Sequence, residues 1–186
     1  MKLYIKNMVC NRCIMVVGSE IEKLGFHPQN IKLGEVELDT SPSNIDKERI
    51  GAHLKNFGFE LIDDKKSRII EQVKSIIIEL VHYQDNDRKD NLSEIISSRI
   101  HHDYNYISNL FSEVEGVTIE KYFIAQKIER VKELLVYDEL SLSEIAYKLN
   151  YSSVSYLSNQ FKKVTGLTPS HFKNLKNIIR KPLDQV

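Results

Sequence analysis

Apolar residues recur along this chain with two different periods. At the start, KLYIKNM alternates, and a period of two marks a half-buried strand. Ile14, Val17, Ile21 and Leu24 then fall at helical spacing and predict a helix over about 12–24. NIKLGEVELD predicts two short strands around Gly34, Ile45 to Asn56 a second helix, and GFELID a last strand. From Ile69 onward the period lengthens to that of helices. Ile69, Ile70, Val73, Ile76, Ile77 and Leu80 describe one helix, and a charged loop follows over Asp85, Asn86, Asp87, Arg88, Lys89 and Asp90. Tyr122, Ala125, Ile128, Val131, Leu134 and Leu135 describe a longer one between Ile119 and Tyr137. Leu142, Ile145, Ala146 and Leu149 share a face, as do Leu157, Phe161 and Val164, all expected to point inward.

The β-α-β-β-α-β order of the first part predicts a ferredoxin-like α+β domain over residues 1–64. The rest is decided by an internal repeat. Shifting the chain by 50 residues lays NLSEIISSRIHHDYNYISNLFSEVEGVT (91–118) on SLSEIAYKLNYSSVSYLSNQFKKVTGLT (141–168) without a gap, and 11 of the 28 positions are identical. Each copy reads as two short helices joined by a turn. Ser141 and Glu144 are spaced as a capping box, and Asn91 and Glu94 as its Asn-capped equivalent. Asn150, Tyr151 and Ser152 supply the turn, because Asn tolerates the left-handed conformation. Gly166 is placed to end the second helix, with Thr168 and Pro169 opening the next as N-cap and first helical residue. A short helix, a tight turn and a second helix with a polar outer face make a helix-turn-helix. The expected architecture is therefore a ferredoxin-like α+β N-terminal domain followed by an all-α domain. The latter, over residues 65–180, holds two helix-turn-helix motifs joined by a long helix, and residues 181–186 form a tail. A joining helix of about 18 residues spans roughly 27 Å. That is close to the ~34 Å between successive major-groove faces, so one monomer could set both second helices on one side of a duplex.

Charge changes the picture more than composition does. The formal net charge is zero, which alone argues against a nucleic-acid partner. Yet no Asp or Glu occurs from Ile145 to Leu183, while Lys148, Lys162, Lys163, Lys173, Lys176, Arg180 and Lys181 do. Residues 91–144 instead carry ten acids against five Lys and Arg. A neutral total hides a basic C-terminal end, a candidate phosphate-facing surface. No apolar run reaches the roughly 18 residues that cross a bilayer, and no secretory signal pattern opens the chain. The expected setting is the reducing cytoplasm, with no membrane partner. Catalysis lacks support: His101, His102 and Asp103 sit where polar residues commonly begin a helix.

The outer faces of the second helices are small and polar, with Asn105, Ser108 and Asn109 in the first copy and Ser153, Ser155, Ser158 and Asn159 in the second. Ser and Asn hydrogen-bond base edges and phosphates, whereas protein-binding faces more often carry aromatic or Arg anchors. A helical hairpin for protein binding is the alternative. At this point LSLSEIAYKLNYSSVSYLSNQFKKVTGLTPSHF resembles the signature of AraC/XylS-family transcription regulators, and residues of about 66–178 resemble their DNA-binding domain. The resemblance implies recognition helices over about 104–114 and 154–164. It implies base-facing positions at Asn105, Ser108, Asn109, Val154, Ser155 and Asn159, with Ser152, Lys162, Lys163 and Thr168 serving phosphates of double-stranded DNA. Asn109 and Asn159 stand where the family usually has Arg, removing a bidentate guanine contact worth about 1–3 kcal/mol of discrimination. Glu113 and Glu115 oppose DNA in the first copy, so the second motif is expected to dominate affinity.

The chain has two cysteines, Cys10 and Cys13, at CxxC spacing. Soft-metal binding, redox exchange and simple packing are all compatible with such a pair. Thiols at a helix start gain from its positive end, which predicts a lowered pKa, helped by Arg12. Tetrahedral Zn(II) wants four ligands, and the nearby His27 and His53 read as surface residues. Met8-x-Cys10-x-x-Cys13, with Asn56-Phe57-Gly58-Phe59-Glu60 downstream, resembles the heavy-metal-associated domain of copper chaperones and metal-transport ATPases. It departs from that pattern at Asn7, usually Gly, and at Val9, usually Thr. The resemblance implies Cys10 and Cys13 as ligands of Cu(I) or another soft metal ion. The combined reading is a sequence-specific transcription regulator, not an enzyme, whose CxxC domain senses a soft metal or engages a regulatory protein. The alternative is a metal-binding or protein-interaction module whose helical half leaves DNA alone.

Overall fold

The computed structural model describes residues 1–62, 64–83, 91–175 and 183–185. The charged loop over residues 85–90, the basic residues Lys176, Arg180 and Lys181, and half of the 181–186 tail lie outside the described residues. The chain divides into two compact units, Met1–Ile76 with Ser97–Leu110, and Ile77–Ile96 with Phe111–Val186. The division runs within three helices.

The first unit opens with β1 (Lys2–Lys6), α1 (Asn11–Lys23), β2 (Pro28–Lys32), β3 (Glu35–Leu38), α2 (Asn44–Lys55) and β4 (Glu60–Ile62). The strands form one antiparallel sheet in the order β2-β3-β1-β4, with Leu3 opposite Val36 and Tyr4 opposite both Glu35 and Ile62. Alternation does the sorting. Leu3, Ile5, Val36 and Leu38 enter one cluster with Val17 and Ile21 of α1 and Ile50 and Leu54 of α2, so both helices cover the same face of the sheet. Ser43 begins α2 with a capping box closed by Asp46.

α3 (Lys65–Ile78) follows, and its first part belongs with the sheet. Ser75 approaches Gly34 so closely that a Cβ there would lie 2.7 Å from its Oγ. The Arg68 guanidinium sits 5.1 Å from the centre of the Tyr4 ring. Ile69, Ile70, Val73, Ile76, Ile77 and Ile78 are all buried, so this helix is covered on more than one side. A π-helical turn, Glu79–Tyr83, continues it.

α4 (Leu92–Ile100) and α5 (Tyr104–Glu115) form the first repeat copy, and α6 (Ile119–Tyr137) is the long joining helix. α7 (Leu142–Lys148), α8 (Val154–Thr165) and α9 (Pro169–Lys173) complete the described α-helices. In the second unit, Ile128, Val131, Leu134 and Leu135 of α6 pack with Ile145, Ala146, Leu149, Leu157, Phe161 and Phe172. Phe161 and Phe172 meet edge to face at 5.4 Å. Gln126 is wholly buried in α6 and satisfied: its amide donates to the Tyr122 hydroxyl and to the Leu183 carbonyl, and its oxygen lies 3.2 Å from His82 Nε2.

Candidate nucleic-acid interface and the cysteine pair

The second repeat copy holds its shape through local chemistry. Ser141 and Glu144 form the reciprocal capping box that starts α7. Asn150 takes the left-handed conformation at φ 54° and turns the chain. Ser153 caps α8, its Oγ accepting from the Tyr156 amide at 3.1 Å. Gly166 ends α8 at φ 78°, and Thr168 and Pro169 open α9. The first copy repeats the devices with other residues. Asp103 accepts from the amides of Asn105 and Tyr106, and Gly116 again takes positive φ.

α8 therefore presents a fixed outer face. Ser155, Asn159, Lys162 and Lys163 are exposed on it, and Ser152 is exposed in the turn before it. Among the described residues, neither Lys162 nor Lys163 makes an ion pair. Lys173 on α9, by contrast, pairs with Asp138. Behind the turn lies Tyr151, only 8% exposed, donating its hydroxyl to Gln160 Oε1 at 2.8 Å and holding its ring 6.0 Å from that of Tyr156. The Lys127 ammonium of α6 stands 3.9 Å from the centre of the Tyr151 ring and 5.5 Å from that of Phe123. Burial pulls the Lys127 pKa down to about 8 and pushes the Tyr151 hydroxyl up.

The cysteines sit where β1 gives way to α1. Cys10 is the N-cap of α1, and Cys13 lies one turn on, with the two Sγ atoms 3.3 Å apart and both residues half-buried. Asn7 adopts φ 70°, the conformation that favours Gly, and its amide donates to the Gly58 carbonyl at 2.9 Å. That bond ties the cysteine loop to the turn before β4. Among the described residues no group of three or more His, Cys, Asp or Glu is placed to share a metal ion.

Residues 96–174 match the family model described as "Helix-turn-helix domain". Those residues form a helix-turn-helix domain by this match. An uncharacterized HTH-type transcriptional regulator, YtdP of Bacillus subtilis, is 27% identical over 125 residues, covering 66% of this chain and 16% of its own. The xylose operon regulatory protein of Escherichia coli is 33% identical over 67 residues, covering 36% of this chain and 17% of its own. This chain thus spans about a sixth of the length of these relatives, both regulators by name. The C-terminal domain of AraT, a response regulator from Geobacillus stearothermophilus, superposes with a TM-score of 0.51 at 23% identity. It covers 63% of this chain and 93% of its own, a likeness of fold.

Within that domain the residues singled out from sequence are not equally placed. Asn105 and Asn109 are exposed on α5, and Ser108 is half-buried. Val154 is half-buried and packs against the second unit's cluster, which leaves less of it for a base than Ser155 or Asn159 has. Thr168 Oγ1 already accepts from the His171 amide at 3.2 Å, but its hydroxyl proton remains for a phosphate. Three expectations need correction. Val164 is 48% exposed rather than inward, and the second unit's core cluster does not include it. The Cys13 thiol is pushed up rather than down, since burial outweighs the backbone amides around it. His53 is not a bystander: its Nε2 meets the buried Glu20 at 2.8 Å. Sequence reasoning passed over Tyr151 and Lys127. An aromatic ring inside an otherwise polar turn was the available signal.

Proposed function

We propose that this chain is a sequence-specific, double-stranded-DNA-binding transcription regulator of the AraC type. Its N-terminal module, residues 1–64, is read as ferredoxin-like and as a soft-metal site that modulates a DNA-binding domain over residues 65–180. The observation that carries the DNA reading is the outer face of α8: Ser155 and Asn159 exposed for base edges, beside Lys162 and Lys163 without acidic partners. The helix-turn-helix match over 96–174 supports it independently. Ser152, Lys162, Lys163 and Thr168 take phosphates. Ser155, Asn159 and the edge of Val154 face bases, with Asn105, Ser108 and Asn109 as the weaker first set. The ferredoxin-like reading is supported by the β2-β3-β1-β4 order with both helices on one face. The metal reading is supported by two adjacent soft donors at a helix start and by the Asn7–Gly58 tie that frames them. Cys10 and Cys13 would hold Cu(I) or a similar ion.

A titration on random-sequence duplex tests the DNA reading. The logarithm of the affinity should fall linearly with the logarithm of salt, at about 0.9 per phosphate contacted. Absence of binding at low salt would sink it in favour of a metal-binding or protein-interaction module.

A further inference from the structure

The side chains that meet bases are held by others that do not, and one such set lies wholly inside the second unit. Tyr151 touches the recognition helix twice, through its hydroxyl to Gln160 and through its ring to Tyr156. It is itself pinned from the other side by the Lys127 ammonium over its face. Gln160 lies one residue after Asn159, and Tyr156 one residue after Ser155. The three contacts therefore fix the rotation of α8 about its axis at just the two turns that carry the base-facing positions.

We infer that Tyr151, buttressed by Lys127, is a positioning residue that sets the register of α8 in the groove, so that sequence selectivity resides in the second motif. The inference rests on the DNA-binding reading. The repeat supplies an internal control. The same shift of 50 residues puts His101 at the place of Tyr151 and Leu110 at that of Gln160. The first copy thus lacks both the hydroxyl and the amide, while keeping the Ser-Asn pair at 108 and 109 that matches 158 and 159. Equivalent outward residues with and without the clamp give one selective head and one that adapts. Lys127 stands half-buried with no carboxylate paired to it among the described residues, an arrangement that fold stability alone does not favour.

Three variants separate positioning from charge. Tyr151→Phe keeps the ring, its packing and the cation over it, and removes only the hydroxyl bond to Gln160. Lys127→Met keeps the length of the chain and removes the cation, and Lys127→Arg restores one. A preferred site is first selected from a randomised duplex pool with the full chain. Tyr151→Phe should then bind that site about fivefold more weakly, the worth of one neutral hydrogen bond, with affinity for random duplex unchanged. Lys127→Met should do likewise with the same salt slope as the parent, and Lys127→Arg should recover the parent's preference. A salt slope lower by about one in Lys127→Met would make Lys127 a phosphate contact and overturn the buttress. An unchanged preference in Tyr151→Phe would overturn the positioning role. If the parent chain binds no duplex at low salt, the DNA reading itself has failed and this inference goes with it.

Discussion

Lys127 is held where burial opposes its charge, and the sign of the consequence is definite. Its pKa is drawn down to about 8 in the folded chain, against about 10.4 for an unfolded lysine. The unfolded chain therefore binds more protons between these values, and stability rises as pH climbs through that window. Below pH 8 the full penalty stands. Lys127→Met should be more stable than the parent at pH 7, and its unfolding midpoint should lose the rise between pH 8 and about 10, as followed by denaturant titration at several pH values. Asn7 makes the complementary point about legibility. Its departure from Gly looks like damage to a motif when read as a letter. In the fold it takes φ 70° and gains the Gly58 bond that Gly could not make.

Elements were legible wherever ends are marked by chemistry that acts over three or four residues. The capping box at Ser141, the left-handed Asn150 and the glycine at 166 set helix limits that periodicity alone leaves loose. What periodicity could not give was the reach of each core. Val164 lies nearly in line with Leu157 and Phe161 on α8, yet the cluster ends a turn short of it. α3 carries the opposite lesson: Ile69, Ile70, Val73, Ile76, Ile77 and Ile78 are more than one stripe, and that excess signals a helix covered on several sides. The two second helices also differ in what their last turns offer. α8 ends on Lys162 and Lys163 at the places where α5 has Ser112 and Glu113. Replacing both lysines with Glu should lower the salt slope on random duplex by at least about two, while Arg99→Ala in α4 should lower it by no more than about one. Equal losses would show that the second motif does not dominate.

At the scale of the molecule, a net charge of zero conceals a chain whose last 40 or so residues are basic and whose first unit carries the thiols. If an ion at Cys10 and Cys13 alters DNA binding, linkage requires DNA to alter the affinity for that ion by the same factor. Proton release gives a second handle. Burial keeps the Cys13 thiol above its ordinary pKa, so a soft ion must displace at least that proton to bind as thiolate ligand. Cu(I) affinity should therefore rise with pH, by at least about tenfold per unit below pH 8. The measurement pairs a Cu(I) titration of this chain in reduced form, with and without its selected duplex, with the Cys10→Ser/Cys13→Ser variant. The parent should show a shift in DNA affinity on adding Cu(I) and the reciprocal shift in Cu(I) affinity on adding DNA. The variant should show neither and should bind DNA as the metal-free parent does. Tight Cu(I) binding with no shift in either direction would leave the cysteines a metal site uncoupled from the helix-turn-helix domain and would refute the sensing role.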